Sequence, residues 1–148
     1  MSFIQLAHRQ RGASPGPLPT DTEQDAPRRL SRFELVARVN GFLRDNISEP
    51  ITVTELSRIA GVSERTLRAA FHDVVGISPK QYVIGERLRA ARQALCAANP
   101  ETTTVTDIAM EYGFFELGRF AGRYRHAFGE TPSRTLRHAA ASWPMQAA

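Results

Sequence analysis

The feature of this sequence that most constrains its fold is an internal repeat. The segment TVTELSRIAG at residues 52–61 returns as TVTDIAMEYG at residues 104–113. With one extra residue in the second copy after the glycine, the correspondence continues into the segments that follow. A cap, a turn glycine, a spaced apolar pair and a Ser/Thr-Pro restart align together, so we interpret the chain as one supersecondary unit used twice. The later matched positions are Leu67 with Phe120, Phe71 with Tyr124, Gly76 with Gly129, and Ser78-Pro79 with Thr131-Pro132.

The local signals within each copy predict a helix-turn-helix. Each copy opens on a threonine three residues before an acid, which is the capping-box pattern of a helix start. A glycine suited to a left-handed turn then ends the first short helix, and a second helix begins near Ser63 or Glu116. A short helix, a tight turn and a second helix with a polar outer face describe a helix-turn-helix unit. The capping threonines are Thr52 and Thr104, and the turn glycines are Gly61 and Gly113.

The second helix of each unit carries one apolar face at helical spacing. We expect the neighbouring Phe114-Phe115 pair to plug the second turn into the core. The predicted inward residues are Leu67, Ala70, Phe71 and Val74 in the first unit, and Phe120, Tyr124, Ala127 and Phe128 in the second.

Three further helices complete the predicted fold. They cover residues 31–46, 79–98 and 132–140, and the longest of them spans about 30 Å at 1.5 Å per residue. That length is close to one turn of B-DNA, about 34 Å. We therefore predict an all-α fold of seven helices, with two helix-turn-helix units joined by a long linker helix. The expected buried side of the first helix is Phe33, Val36, Asn40, Leu43 and Ile47.

Composition divides the chain into an ordered part and two ends. Residues 1–30 are rich in Pro, Gly and short polar side chains, and they cannot bury enough apolar surface to offset the entropy of ordering. The predicted organisation is a disordered tail or linker at 1–30, a first helix-turn-helix subdomain at 31–76, a linker helix at 77–99, a second subdomain at 100–141 and a C-terminal tail at 142–148.

Several classes of protein are disfavoured by the same composition. Cys96 is the only cysteine, so neither an internal disulfide nor a cysteine zinc cluster can form. His72, His126 and His138 have no metal-ligand spacing, and neither a glycine-rich phosphate loop nor a catalytic pair of acids stands out. We expect no catalytic residue, no metal and no cofactor. With no apolar run of about 20 residues and no signal-peptide pattern, we expect a cytoplasmic protein without a membrane partner.

Positive charge is concentrated in two parts of the chain. Residues 63–92 carry six basic and three acidic groups, and residues 116–138 carry five arginines and two acids. Residues 31–62 are neutral, with four of each, whereas 93–115 carry three acids and no base. The pattern of +3, −3, +3 coincides with the second helices of the two units and the helices after them. It is the distribution expected of segments that face a polyanion.

Several stretches in the second half of the chain resemble the DNA-binding domain of AraC/XylS-family transcription regulators. They are ISPKQYVIGERLRAARQAL at residues 77–95, TVTDIAMEYGF at 104–114 and FAGRYRHAFGETPS at 120–133. The resemblance extends from Phe33 to about His138. It implies a seven-helix domain with two helix-turn-helix units that binds double-stranded promoter DNA, and it implies contact with RNA polymerase as the usual output.

The resemblance also implies which residues contact DNA. Arginine can read guanine through two hydrogen bonds in the major groove, and Arg65 and Arg68 lie on one helix face clear of the core. Gly118 and Gly122 depart from the polar residues usual in the second recognition helix and could allow close approach to DNA. The base-reading positions fall on Arg65, Arg68, Ala69, Leu117, Gly118, Arg119 and Gly122, and we assign phosphate contacts to Thr66, Lys80, Arg123 and Arg125.

Two functional alternatives and three origins of the chain remain open on the sequence. The same helices could serve as a protein-interaction module or as an AraC-like segment of a DNA-repair protein. The chain could be a stand-alone monomeric binder, a truncated regulator or the C-terminal fragment of a longer one, and the linker-like composition of residues 9–29 favours the last two. We expect no effector site within this chain.

Overall fold

Seven α-helices make up most of the part of the chain that the structure describes. The computed structural model describes residues 29–142, and over that range it contains no strand. The predicted tail at 1–30 lies outside the described residues up to position 28, as do the last six residues of the predicted C-terminal tail. The helices are α1 Arg32–Asn46, α2 Val53–Ala60, α3 Glu64–Val75, α4 Pro79–Ala97, α5 Val105–Glu111, α6 Leu117–Phe128 and α7 Pro132–Ser142.

The sequence repeat is a repeat of hydrogen bonds as well as of residues. At the start of α2 the Thr52 hydroxyl accepts the Glu55 amide at 3.1 Å, and at the start of α5 Thr104 accepts the Asp107 amide at the same distance. In the second copy Asp107 also accepts the Thr104 amide at 2.9 Å, which completes a capping box. The Thr104 hydroxyl, which donates to the Asp107 carboxylate at 2.6 Å, and the Thr104 amide hold the pKa of that carboxyl below its usual value.

The two turns have the same geometry. Gly61 and Gly113 have φ of +71° and +77°, in the left-handed region that favours glycine. Backbone hydrogen bonds close each turn, and one bond of the first turn recurs in the second at the offset of the repeat. These two bonds join the Val62 amide to the Ser57 carbonyl at 3.0 Å, and the Phe114 amide to the Ala109 carbonyl at 2.8 Å.

The buried apolar residues form two clusters, one for each helix-turn-helix unit. α1 packs on α2 and α3 in the first cluster, while α4, α5, α6 and α7 surround the second. α4 belongs to both, because Val83 joins the first cluster and Leu88, Ala91 and Leu95 join the second. The first cluster is Leu35, Val36, Val39, Leu43, Leu56, Ala60, Leu67, Ala70, Phe71 and Val83; the second is Leu88, Ala91, Leu95, Ile108, Ala109, Phe114, Phe120, Tyr124 and Leu136.

Four inward predictions were wrong. Phe33 is 71% exposed, because the buried stripe of α1 includes Leu35 and Val39 and Phe33 falls about 100° from its centre. Val74 and Ala127 are exposed as well, and neither belongs to a core cluster. The fourth is Phe115, described with the site below.

Candidate nucleic-acid interface

The first helix-turn-helix fixes α3 by burying one face of it completely. Leu67, Ala70 and Phe71 are fully buried, and the Phe71 ring meets Tyr82 of α4 edge-on at 5.2 Å. At the other end, the Thr54 hydroxyl of α2 donates to the Glu64 carboxylate at 2.6 Å, which ties the two helices of the unit together. The outer face of α3 is therefore held rigidly toward solvent.

That outer face carries the three predicted base-reading residues of the first unit. Arg65, Arg68 and Ala69 are all exposed. Arg68 donates to Glu64, one turn earlier, at 2.7 Å. Arg65 makes no ion pair with any residue of the described chain. The Arg68 side chain is thus oriented by its ion pair, whereas that of Arg65 is available to bind a ligand.

Two predicted phosphate contacts lie at helix N-termini. The Thr66 hydroxyl is 3.0 Å from that of Ser63, the N-cap of α3, and Lys80 is the second residue of α4. Both side chains are exposed. Unpaired amides and the helix dipole favour anions at such positions, so the backbone and the lysine charge act in the same direction.

The second unit holds α6 through a row of aromatic rings. Phe114, Phe120, Tyr124 and Phe128 follow one another with centroid separations of 4.9, 5.7 and 4.7 Å. The Arg92 guanidinium of α4 lies 4.6 Å above the last ring. Such contacts stabilise a helix from its buried side, which leaves the outer face of α6 free to vary.

A buried hydrogen-bond chain fixes α6 against α7. The Tyr124 hydroxyl donates to Thr135 at 2.9 Å, and Thr135 in turn donates to Glu130 at 2.8 Å. Both Tyr124 and Thr135 are almost fully buried, and burial raises the pKa of Tyr124. The phenol therefore stays neutral and keeps donating over the physiological pH range.

The outer face of α6 is unlike that of α3. Gly118 and Gly122 are exposed, and a Cβ added to either would meet no other atom within 4 Å. Leu117, at the first position of the helix, is 41% exposed. At Leu117, Gly118 and Gly122 the face is thus shallow and apolar, whereas the first unit presents the long side chains of Arg65 and Arg68.

The arginines of α6 fall into two groups. Arg119 is gripped by Glu116, with Nε 3.0 Å and Nη1 3.2 Å from its two carboxylate oxygens. Arg123 and Arg125 are exposed and make no ion pair within the described residues. Free cations on a helix that carries no acid of its own are suited to phosphate binding.

Phe115 lies on the surface, although the sequence interpretation placed it in the core. Its neighbour Phe114 is buried, but Phe115 is 76% exposed. It lines a shallow pocket of about 150 Å³ together with Arg119 and Arg123. The signal was present in the repeat, because Phe115 is the extra residue of the second copy and has no buried counterpart in the first.

The remaining features considered in the sequence are metal binding, the single cysteine and membrane spans. Residues 29–142 contain no group of three or more His, Cys, Asp or Glu side chains that could hold a metal ion. Cys96 is exposed at the end of α4. None of the described helices combines the length and the apolar character needed to cross a membrane.

Two equivalent helix-turn-helix units, each presenting an outward second helix with arginines, define the class of double helix-turn-helix proteins. A family model described as a helix-turn-helix domain matches residues 56–138, more than half of the chain. XylDLEGF operon transcriptional activator 3 from Pseudomonas putida is 40% identical over 106 residues, which are 72% of this chain and 32% of that protein. The chain spans about a third of the length of this activator and of others that it matches at similar identity.

Solved structures of the same class share the fold. A probable AraC family transcriptional regulator from Rhodopseudomonas palustris has 39% identity and a TM-score of 0.66, covering 71% of this chain and 96% of that one. The DNA-binding domain of AdpA, solved in complex with a target DNA, has 24% identity and a TM-score of 0.64, covering 74% and 96%. The chain belongs to the AraC/XylS-type helix-turn-helix family. This is a family of transcription regulators and not of enzymes, in agreement with the absence of a predicted catalytic site.

Proposed function

We propose that this chain is the DNA-binding part of a transcription regulator and inserts α3 and α6 into successive major grooves of promoter DNA. The observation that carries the proposal is the pairing of two equivalent helices, each buried on one face and exposing arginines on the other. α4 joins them with 19 helical residues, about 28 Å of rise. That length suits two grooves on one face of the duplex, about 34 Å apart.

The two units would read DNA by different chemistry. On α3, Arg65 and Arg68 can each donate two hydrogen bonds to a guanine edge. The small side chain of Ala69 on the same helix would let α3 lie close to the base pairs.

In the second unit, Phe115 just before α6 and Leu117 at its first position would contact the methyl groups of thymines, which apolar side chains recognise in the major groove. Gly118 and Gly122 would let the helix approach the bases and sugars closely, and Arg119 could reach a base if it releases Glu116. The first half-site should therefore be the more selective, since hydrogen bonds discriminate bases more sharply than methyl contacts do.

Phosphate contacts would supply most of the affinity. Thr66, Lys80, Arg123 and Arg125 are exposed, and none of the three cations is neutralised by an ion pair within the described residues. Each phosphate neutralised releases a counterion, so the logarithm of the affinity falls with the logarithm of the salt concentration at a slope of about −0.9 per contact.

The experiment is a salt titration of duplex binding by fluorescence anisotropy. The affinity of the wild-type protein should fall steeply and log-linearly with salt. In the double variant with Arg123→Ala and Arg125→Ala the slope should be less steep by about 2. Arg89→Ala is the matched control, because Arg89 is also an exposed arginine but lies on α4 and pairs with Glu86. Binding that does not change with salt would contradict the proposal and favour the protein-interaction alternative.

The regulatory output follows the relatives. Several proteins that this chain matches at about 40% identity are named as transcriptional activators, so we propose activation through contact with RNA polymerase. The work of such a regulator places it in the cytoplasm, on the nucleoid. The test is a reporter gene placed behind a binding site selected from random duplexes. Its expression should rise when this protein is produced, and a fall would indicate a repressor.

A further inference from the structure

Arg87 joins the two helix-turn-helix units through one side chain. It belongs to α4, and its Nε donates to the carbonyl of Ile47 at 3.1 Å while Nη2 donates to the carbonyl of Glu49. Both carbonyls lie just after α1, in the first unit. On its other side the guanidinium rests on Gly113, the turn glycine of the second unit, where an added Cβ would be 3.0 Å from Nη1.

Arg87 lies one turn after the point at which α4 passes from the first core to the second, because Ile84 already packs against the second cluster. Val83 packs into the first cluster and Leu88 into the second. Between them Gly85 leaves α4 without a side chain, and its surroundings are open, with nothing within 4 Å of an added Cβ. A glycine inside a helix is less favourable than alanine and adds backbone freedom. The rod that joins the units is therefore softest where Arg87 braces it.

Apart from the contacts of α4, no extensive helix–helix contact within the described residues joins the first unit to the second. Every closely packed helix pair lies within one unit or includes α4. Where α1 faces the second unit there is an open cleft of about 450 Å³, lined by Leu43, Arg44 and Ile47 on one side and by Tyr112 on the other. The relative orientation of the units thus depends on α4 and on the hydrogen bonds of Arg87.

We propose that Arg87 is a positioning residue that holds the two units in the one orientation that spans neighbouring major grooves; this rests on the proposed two-site DNA binding. The planar guanidinium is suited to the role, because it offers several donors in fixed directions to two carbonyls at once. It is partly withdrawn from water, and burial lowers the pKa of Arg87 from its ordinary value. Arg87 itself need not touch DNA.

The first test compares a two-half duplex of the selected spacing with one that has a single base pair inserted between the halves. The insertion moves the second half by about 3.4 Å and about 35°. Wild-type protein should lose about tenfold in affinity, because a rigid pair cannot follow. Arg87→Ala should bind the natural site several-fold more weakly and show nearly the same affinity for the inserted one.

Arg89→Ala is the control, since it removes an equal charge two residues away on the same helix without touching the Arg87 bonds. It should keep the wild-type penalty for the insertion. Thermal melting is measured for each variant, and Arg87→Lys replaces Arg87→Ala if the latter does not fold, because lysine keeps the charge but lacks the planar fork. An insertion penalty in the Arg87 variant equal to that of wild type would overturn the proposal.

The second test needs no DNA, so it separates this proposal from the proposed function. Spin labels at Ala37→Cys in α1 and Ala127→Cys in α6, both exposed, with Cys96→Ser, report the distance between the units by pulsed electron resonance. The distance distribution should be narrow in the labelled parent and in Arg89→Ala, and broad in Arg87→Ala. An equally narrow distribution in Arg87→Ala would overturn the bracing role even if the protein binds DNA as proposed.

Discussion

At the scale of single residues, the recognition helices expose arginines in two electrostatic states. Arg68 and Arg119 are each held by an acid on the preceding turn, Glu64 and Glu116. Arg65, Arg123 and Arg125 have no such partner in the described chain. Exposed ion pairs contribute only about 0–1 kcal/mol, so a guanine or a phosphate can replace the acid at little cost.

The first prediction separates base recognition by Arg68 from phosphate binding by Arg123. Arg68→Ala should cost about 1–3 kcal/mol on the cognate site and relax the preference at one base pair, because a bidentate guanine contact is lost. Arg123→Ala should weaken binding to all sequences alike, since a phosphate carries no sequence information. Selection of binding sites from random duplexes by each variant is the measurement. A changed motif with Arg123→Ala and an unchanged one with Arg68→Ala would reverse the assigned roles.

The second prediction concerns Phe115 and thymine methyl groups. Replacing thymines of the second half-site by uracil removes only the methyl, and wild-type affinity should fall about threefold for each contacted base. Phe115→Ala should already bind more weakly and should no longer respond to that replacement. Phe33→Ala removes an equally exposed ring from α1 and should keep the full wild-type response. If Phe115→Ala stays as sensitive to uracil as wild type, the ring does not touch a methyl.

At the scale of elements, α6 is a helix with weak local signals that tertiary contacts hold in place. It has one glycine in its first turn and one in its interior, and its N-cap residue Glu116 makes no side-chain capping bond. Each glycine weakens a helix by about 1 kcal/mol relative to alanine. The buried aromatic row and the bond from Tyr124 to Thr135 offset this, and α6 keeps a bare outer surface. A surface that is costly for stability but closely approachable is expected where DNA must come near the backbone.

The third prediction tests, with Gly122→Ala, whether α6 has lower stability in return for a closer approach to DNA. The added methyl meets no atom of the protein, so the helix should gain about 0.5–1 kcal/mol of unfolding free energy. Affinity for the two-half site should nevertheless drop, since the methyl would stand between α6 and the DNA. Thermal melting and anisotropy on the same sample give both values.

Gly41→Ala is the matched control for this exchange. Gly41 lies inside α1, is exposed and has equally open surroundings, so alanine there should stabilise the fold and leave DNA affinity unchanged. If Gly122→Ala gained stability with no loss of affinity, the close approach of α6 to DNA would be excluded.

At the scale of the whole molecule, the internal repeat sets the form of the target. Two reading helices on one rod should protect two half-sites centred about 10 base pairs apart on one face of the duplex. The halves should differ in sequence, because Arg65 and Arg68 correspond to Gly118 and Ala121 in the second unit. A monomer would therefore bind a direct but unequal pair of sites.

The fourth prediction is that five base pairs inserted between the halves should place them on opposite faces and remove most of the contribution of the second unit. Footprinting should then show protection of the first half alone, with weak overall affinity. Undiminished affinity with both halves protected would mean that the units move independently. A palindromic selected site would instead show that a dimer, and not the internal repeat, sets the spacing.

The sequence alone determined the elements of this protein, because their ends are set locally. Capping threonines, turn glycines and Ser/Thr-Pro starts satisfy or release backbone groups within a few residues, so the seven helices and both turns lie close to where the sequence places them. The same applies to the inner faces of α3 and α6 near their centres, where Leu67, Phe71, Phe120 and Tyr124 recur at helical spacing. Family membership also followed from such local motifs.

Only the tertiary structure decided what depends on neighbours distant in the chain. Periodicity gives a helix an apolar side but not the angle at which a partner covers it, and so Phe33 lies outside the core against expectation. Phe115 lies in the turn between α5 and α6, where no periodicity indicates which of two adjacent phenylalanines is buried. The bonds of Arg87 to carbonyls 38 and 40 residues away leave no trace in local sequence, because arginine suits a solvated helix face as well. Burial and long-range hydrogen bonds are properties of the assembled chain, and the relative placement of the two DNA-facing helices rests on them.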